Sequence, residues 1–199
     1  MFCLKIYNGS GLESVFKHTP SSRPENLERL LELRGYLRGS ETSVRTLEMQ
    51  GGVVDDRADE VGLSARMDEE WLTAFCVMRG LDDSRRLIAS VMMSNIVTER
   101  RFASVGGLKG GIGACGLAVR QGNYCGLFDI VTDIGSIGQG IGRLLTGDLL
   151  RWGREEGTEK AYLQVMVDNV PALRLYSSIG FHEAYLYWYR TRPLPERAA

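Results

Sequence analysis

Residues 137–142 read IGQGIG, between the apolar run 125–132 and the stretch RLLTGDLLRWGREEG. A strand that passes through a glycine-rich turn into a helix offers an anion the unpaired amides of the first helical turn and the positive end of the helix dipole. Phosphate is the ligand such a turn suits. Gly138, Gly140 and Gly142 let the backbone approach it closely, and Arg143 brings charge to the helix start. Taken alone, the same residues also describe a flexible loop followed by a solvated arginine.

A second segment, residues 168–181, reads DNVPALRLYSSIGF. Asn169 and Tyr176 lie two helical turns apart, so both project from nearly the same face, where one ligand could meet them. In isolation Asn169 reads as a helix N-cap and Tyr176 as a half-buried aromatic.

Composition narrows the partners. A chain of 199 residues, 44% hydrophobic, buries one main core with room for an added segment. Its formal net charge of -1 gives no general pull toward nucleic acid or an anionic membrane, and no apolar run is long enough to span a bilayer. Cys3, Cys76, Cys115 and Cys125 form no CxxC pair, and His18 and His182 are the only histidines, so no metal site is expected. The first residues lack a secretory pattern. Reduced thiols and a cytoplasmic location follow as expectations.

The elements that must position these residues read as follows. Residues 1–41 form an N-terminal appendage with a helix over PENLERLLELRGYL, started by Pro24 and stopped by Gly35. Its Leu27, Leu30 and Leu31 need a surface to bury against, either a sheet or the partner in a homodimer. Residues 42–49 suggest a strand, 50–70 a connector, 71–78 and 84–96 two helices, and 101–105, 113–119 and 125–132 three strands in hairpin order. A helix to about Glu156 follows the glycine turn, with Ile141, Leu144, Leu145 and Leu149 as its buried stripe. A strand at 161–167, a helix at 170–179 and a strand at 183–189 close the chain. This order predicts a mixed α/β sheet, antiparallel first and parallel at the site end.

Strand, Gln139-Gly140-Ile141-Gly142-Arg143, helix, strand, then Asn169, Ala172, Tyr176, Gly180 and Phe181 at their spacing together resemble the GNAT superfamily of acetyl-CoA-dependent N-acetyltransferases, over residues 42–190. Residues 191–199 are left as a tail. The resemblance leaves residues 1–41 outside, where they could be the remnant of a degenerate first copy of the fold. One departure stands out: Ile137 occupies the position that carries Arg or Gln in the family. Backbone amides make most of the anion contacts, and Ile137 retains its amide.

What the resemblance implies is an acetyl transfer from acetyl-CoA to a primary amine, without metal, by direct attack in a ternary complex. Ile130, Val131 and Thr132 would hold the pantetheine arm and acetyl group through backbone hydrogen bonds. Residues 137–143, namely Ile137, Gly138, Gln139, Gly140, Ile141, Gly142 and Arg143, would hold the pyrophosphate. Asn169 and Ala172 would line the CoA arm, and Tyr176 would act as general acid to the departing thiolate. Asp129 is the candidate base, although strand alternation places it opposite Ile130 and leaves open which face is buried. His182 is a remoter candidate and reads as a surface residue. The expected acceptor is a small-molecule amine. Two alternatives remain: a catalytically silent acyl-CoA-binding module that regulates a partner, and a protein N-terminal or lysine acetyltransferase.

Overall fold

The computed structural model describes residue 7 and residues 9–49, 60–108 and 110–193. Cys3, most of the expected connector and the end of the tail lie outside the described residues. The chain forms two units: Met1–Arg45 with Val165–Val170 and Glu183–Ala199, and Thr46–Gln164 with Pro171–His182.

In the first unit, β1 (Ser14–His18) pairs antiparallel with β8 (His182–Arg192), from Ser14↔Arg192 to His18↔Trp188. Sequence patterning misses β1 because its polarity is inverted. Ser14 is buried, bonded to the Tyr36 hydroxyl at 2.8 Å, while Val15 is exposed. Helix α1 (Leu27–Leu33) begins three residues after Pro24, whose carbonyl accepts the Leu27 amide within a preceding turn. Leu31 is buried and Leu27 and Leu30 are half-buried, so the leucine stripe does face protein. Gly35, at φ 76°, lets the chain reverse so that the Tyr36 amide returns to the Leu31 carbonyl. The next strand, β2 (Leu37–Glu48), starts earlier than expected, and the boundary drawn after residue 41 falls inside it.

The second unit carries the strand order β7-β6-β5-β4-β3. Its strands are β3 (Val61–Ser64), β4 (Arg100–Gly106), β5 (Ile112–Gln121), β6 (Tyr124–Thr132) and the start of β7 (Lys160–Met166). Pairing is antiparallel from β3 to β6 and parallel between β6 and β7, the mixed α/β arrangement read from the sequence. Strand β3 lies in the stretch expected to be a connector. Four residues with an internal Gly62 give too short an alternation to stand out.

Helices α2 (Glu69–Arg79) and α3 (Asp83–Ser94) start on Asp68 and Asp82, whose carboxylates accept the amides of Trp71 and Arg85. Trp71, Leu72, Phe75 and Cys76 of α2 pack with Phe102, Cys115 and Leu117 of the strands, and the Trp71 indole donates to the Ala103 carbonyl at 2.8 Å. Helix α4 (Ile141–Glu155) packs on β5 and β6 through Leu144, Leu145 and Leu149, the predicted stripe. Helix α5 (Val170–Ile179) matches its expected span. Cys76, Cys115 and Cys125 are buried free thiols, and no described helix is long and apolar enough to cross a membrane.

Candidate active site

Strand β6 carries the first half of the site. Its parallel ladder with β7 runs from Tyr124↔Lys160 to Leu127↔Leu163, and among the described residues it stops there, although β6 continues to Thr132. Across the strand, Cys115 pairs with Val131 but Leu117 pairs with Phe128, so Gly116 of β5 faces both Asp129 and Ile130. That is a β-bulge, and Asp129, at φ 51°, sits within it in the left-handed region. Beyond Leu127 the β7-facing edge of β6 has no ladder partner among the described residues, so its backbone can bond something else.

Contacts settle which way the flanking side chains point. A Cβ on Gly116 would meet Ile130 Cγ1 at 2.9 Å and Leu145 Cδ2 at 3.0 Å, and one on Gly142 would meet Thr132 Oγ1 at 3.5 Å, so Ile130 and Thr132 face α4. Phe128 and Val131 pack into the α2 cluster. Asp129 is exposed, and its charge acts on Cys115 while the Arg79 charge acts on it. Removal from water raises the Asp129 pKa and Arg79 opposes the rise.

The second half is the turn at the end of β6. Asp133 caps a short 3-10 turn (Ile134–Ser136) by accepting the Gly135 amide at 2.9 Å. Gly138 and Gly140 take φ of 84° and 81°, conformations that L side chains rarely adopt, and thereby bring the chain into α4. Gly140 is the N-cap and no side chain caps the helix. Its first-turn amides and dipole are therefore presented at an exposed turn, with Ile137 62% exposed at its head. The Gln139 side chain folds back to the Gly135 carbonyl at 2.9 Å and braces the loop. Arg143 reaches Ser178 Oγ of α5 at 2.8 Å. Ile141 is buried beneath the turn, and Gly142 allows close contact with Leu175 of α5 as well as Thr132.

Helix α5 supplies the third part. Tyr176 is buried, its ring edge-on to Phe181 at 5.9 Å, and burial pushes its phenol up to about 12. Ala172 is half-buried one turn earlier. Asn169, exposed and just ahead of α5, belongs to the first unit, where its amide bonds the Met166 carbonyl at 3.0 Å. The exposed His182 lies 3.2 Å from Thr46 Oγ1. Sequence reading misses the bulge, which depends on how β5 and β6 pair.

Residues 23–190 match the family model described as "Probable histone acetyltransferase Rv0428c C-terminal". The chain belongs to this family, within the GNAT superfamily of acyltransferases. It is 24% identical over 191 residues to YobR of Bacillus subtilis, described as an uncharacterized N-acetyltransferase, covering 94% of this chain and 76% of that one. Among solved structures it is similar to the GCN5-related N-acetyltransferase of Sphaerobacter thermophilus (TM-score 0.67, 16% identity, 92% of this chain and 60% of that one). A GCN5-related N-acetyltransferase of Kribbella flavida is also similar (TM-score 0.69, 15% identity, 98% of this chain and 74% of that one). The chain thus spans 60% of the length of the Sphaerobacter protein.

For a GNAT-type N-acetyltransferase, the arrangement of β6 and α4 has a direct chemical meaning. A free strand edge followed by an uncapped helix start can bond an extended amide-containing arm and then an anion, in that order along one ligand. The donor groups in the turn are backbone amides, so the apolar Ile137 side chain does not interrupt them.

Proposed function

We propose that this chain transfers an acetyl group from acetyl-CoA to a primary amine of a small molecule by direct attack in a ternary complex. The observation that carries the reading is that β6 leaves its ladder at Leu127 and ends at the uncapped α4 turn. In this reading the free backbone of Ile130, Val131 and Thr132 holds the pantetheine arm. The amides of residues 137–142 hold the pyrophosphate, with Arg143 beside them, while Ala172 lines the arm. The amine nitrogen attacks the thioester carbonyl, so a C–N bond forms as the C–S bond breaks. Asp129 takes the proton that the amine loses, directly or through water. Tyr176, protonated at every physiological pH, donates to the sulfur as negative charge develops there.

The test is thermal unfolding with acetyl-CoA. Ligand that binds only the folded chain raises stability as RT ln(1 + [L]/Kd), about 2.7 kcal/mol at a hundredfold excess over Kd. The melting temperature should climb steadily with concentration, and no shift up to millimolar acetyl-CoA sinks the reading.

A second acceptor has its own support. The family model is described by a histone acetyltransferase, so a lysine side chain of a protein is the alternative amine. Acetyl-CoA consumption measured with a panel of small amines beside a lysine-rich histone-tail peptide separates the two. Saturable acetyl-CoA binding without turnover on any of them would instead indicate a silent binding module.

A further inference from the structure

Residues 134–140 are exposed except for Ser136, which is buried at the end of the 3-10 turn that leads into Gly138 and Gly140. Its side chain rests on the loop between β4 and β5. A Cβ on Gly113 would meet Ser136 Oγ at 3.1 Å, and one on Gly107 would meet it at 3.5 Å. Strand β5 also holds the 3-10 turn directly: the Asp133 amide donates to the Gly113 carbonyl at 2.8 Å, and the Ser136 amide to the Asp133 carbonyl at 2.9 Å.

Under Ser136 the two glycines lie backbone against backbone. The Gly107 amide donates to the Gly111 carbonyl at 2.9 Å and the Gly110 amide to the Gly107 carbonyl at 3.1 Å, so the loop is folded tightly here. A Cβ on Gly113 would stand 2.6 Å from Gly107 Cα and 3.0 Å from its nitrogen, and one on Gly107 would stand 3.1 Å from Gly113 Cα. Carbon atoms in contact ordinarily lie about 3.5–4.0 Å apart. Neither glycine has a positive φ, so what these positions use is the missing side chain, which admits a second backbone. The contact is passed on along the turn, because the Gln139 side chain bonds the carbonyl of Gly135, next to Ser136, and Gly140 follows as the N-cap of α4.

We propose that Gly107 and Gly113 are positioning residues for the phosphate turn, forming a seat on which Ser136 rests and so fixing where the amides of residues 137–142 meet the pyrophosphate of acetyl-CoA. The proposal rests on the reading of that turn as the pyrophosphate site. Any side chain in the seat lifts Ser136 and re-aims the amides behind it, and a hydrogen bond weakens steeply when its donor is turned away.

The experiment is isothermal titration of the full chain with acetyl-CoA and, separately, with S-acetylpantetheine, which carries the arm without the pyrophosphate. Gly113→Ala binds acetyl-CoA on the order of tenfold more weakly than the parent, the loss expected for one hydrogen bond to a charged group, and keeps the parent affinity for S-acetylpantetheine. Gly107→Ala, whose added methyl has 3.1 Å rather than 2.6 Å to the facing Cα, shows the same selective loss to a smaller degree and carries the test should Gly113→Ala fail to fold. Gly106→Ala is the control from the same loop: a Cβ there meets nothing within 4 Å, and acetyl-CoA binds as to the parent. Adding Ser136→Gly to Gly113→Ala removes the group that the new methyl presses on and recovers part of the affinity. Parent-like acetyl-CoA affinity in the folded seat variants overturns the proposal, and so does an equal loss toward both ligands, which marks general damage. A parent chain that does not bind acetyl-CoA at all fails the reading of the turn itself, an outcome distinct from either.

Discussion

Tyr176 sets a limit on how it can help the reaction. A phenol at about 12 is a weaker acid than a thiol, whose ordinary value is about 8.5, so complete transfer to a fully formed thiolate is uphill. Its help is a hydrogen bond that strengthens as charge grows on the sulfur, with the proton following from water. Tyr176→Phe keeps the ring against Phe181 and removes only this donor. Single-turnover acetyl transfer should slow on the order of 10²-fold with acetyl-CoA affinity nearly unchanged. Parent-like single-turnover rates would return Tyr176 to a packing role. Because the phenol is protonated far above neutrality, any loss of activity between pH 8 and 10 belongs to another group.

At the scale of elements, the decisive unit is β6, the glycine turn and α4 acting as one piece. The turn exists because Gly138 and Gly140 occupy left-handed backbone, which makes the effect of a substitution there largely conformational. Gly140→Val would strain the backbone as well as obstruct a phosphate, so it does not isolate binding. Gly138→Ala is the cleaner probe, since a Cβ there meets nothing within 4 Å and any cost comes from φ alone. Urea denaturation without ligand should show a loss of about 1 kcal/mol. The acetyl-CoA-induced melting shift should shrink as well, because the amides are re-aimed. An unchanged ligand shift beside the lower stability would remove this turn from the binding site.

At the scale of the whole molecule, the first unit has its own polar anchor. Glu28 accepts from the Arg190 guanidinium through Nε at 3.0 Å and from the Trp188 indole at 3.0 Å, and Arg190 also donates to the Tyr36 carbonyl at 2.9 Å. His18 stacks on Trp188 with ring centroids 4.6 Å apart. These bonds join α1 to β8 and thus residues 28 and 190 of the chain. The Arg190 hydrogen bond lowers the Glu28 pKa below the ordinary 4.5, against the opposing effect of burial. A carboxylate depressed in the folded state stabilises fully above its unfolded value, and the contribution disappears as pH falls through the folded value. Glu28→Gln should therefore melt lower than the parent at pH 7, by about 1–3 kcal/mol in urea unfolding. The difference should narrow as pH falls below 4.5. A gap independent of pH would mean that Glu28 stabilises by shape rather than charge.

The sequence by itself determined the local features of this protein. The leucine stripe of α4, the glycines of its turn and the α5 span all depend on residues near one another in the chain, where spacing and backbone preference act directly. The GNAT resemblance was legible for the same reason, being carried by two short segments. Tertiary structure decided what pairing decides. The inverted β1 finds its place only against β8, and β3 only against β4. The Asp129 bulge arises from a mismatch of count between β5 and β6, a property of two strands that neither carries alone.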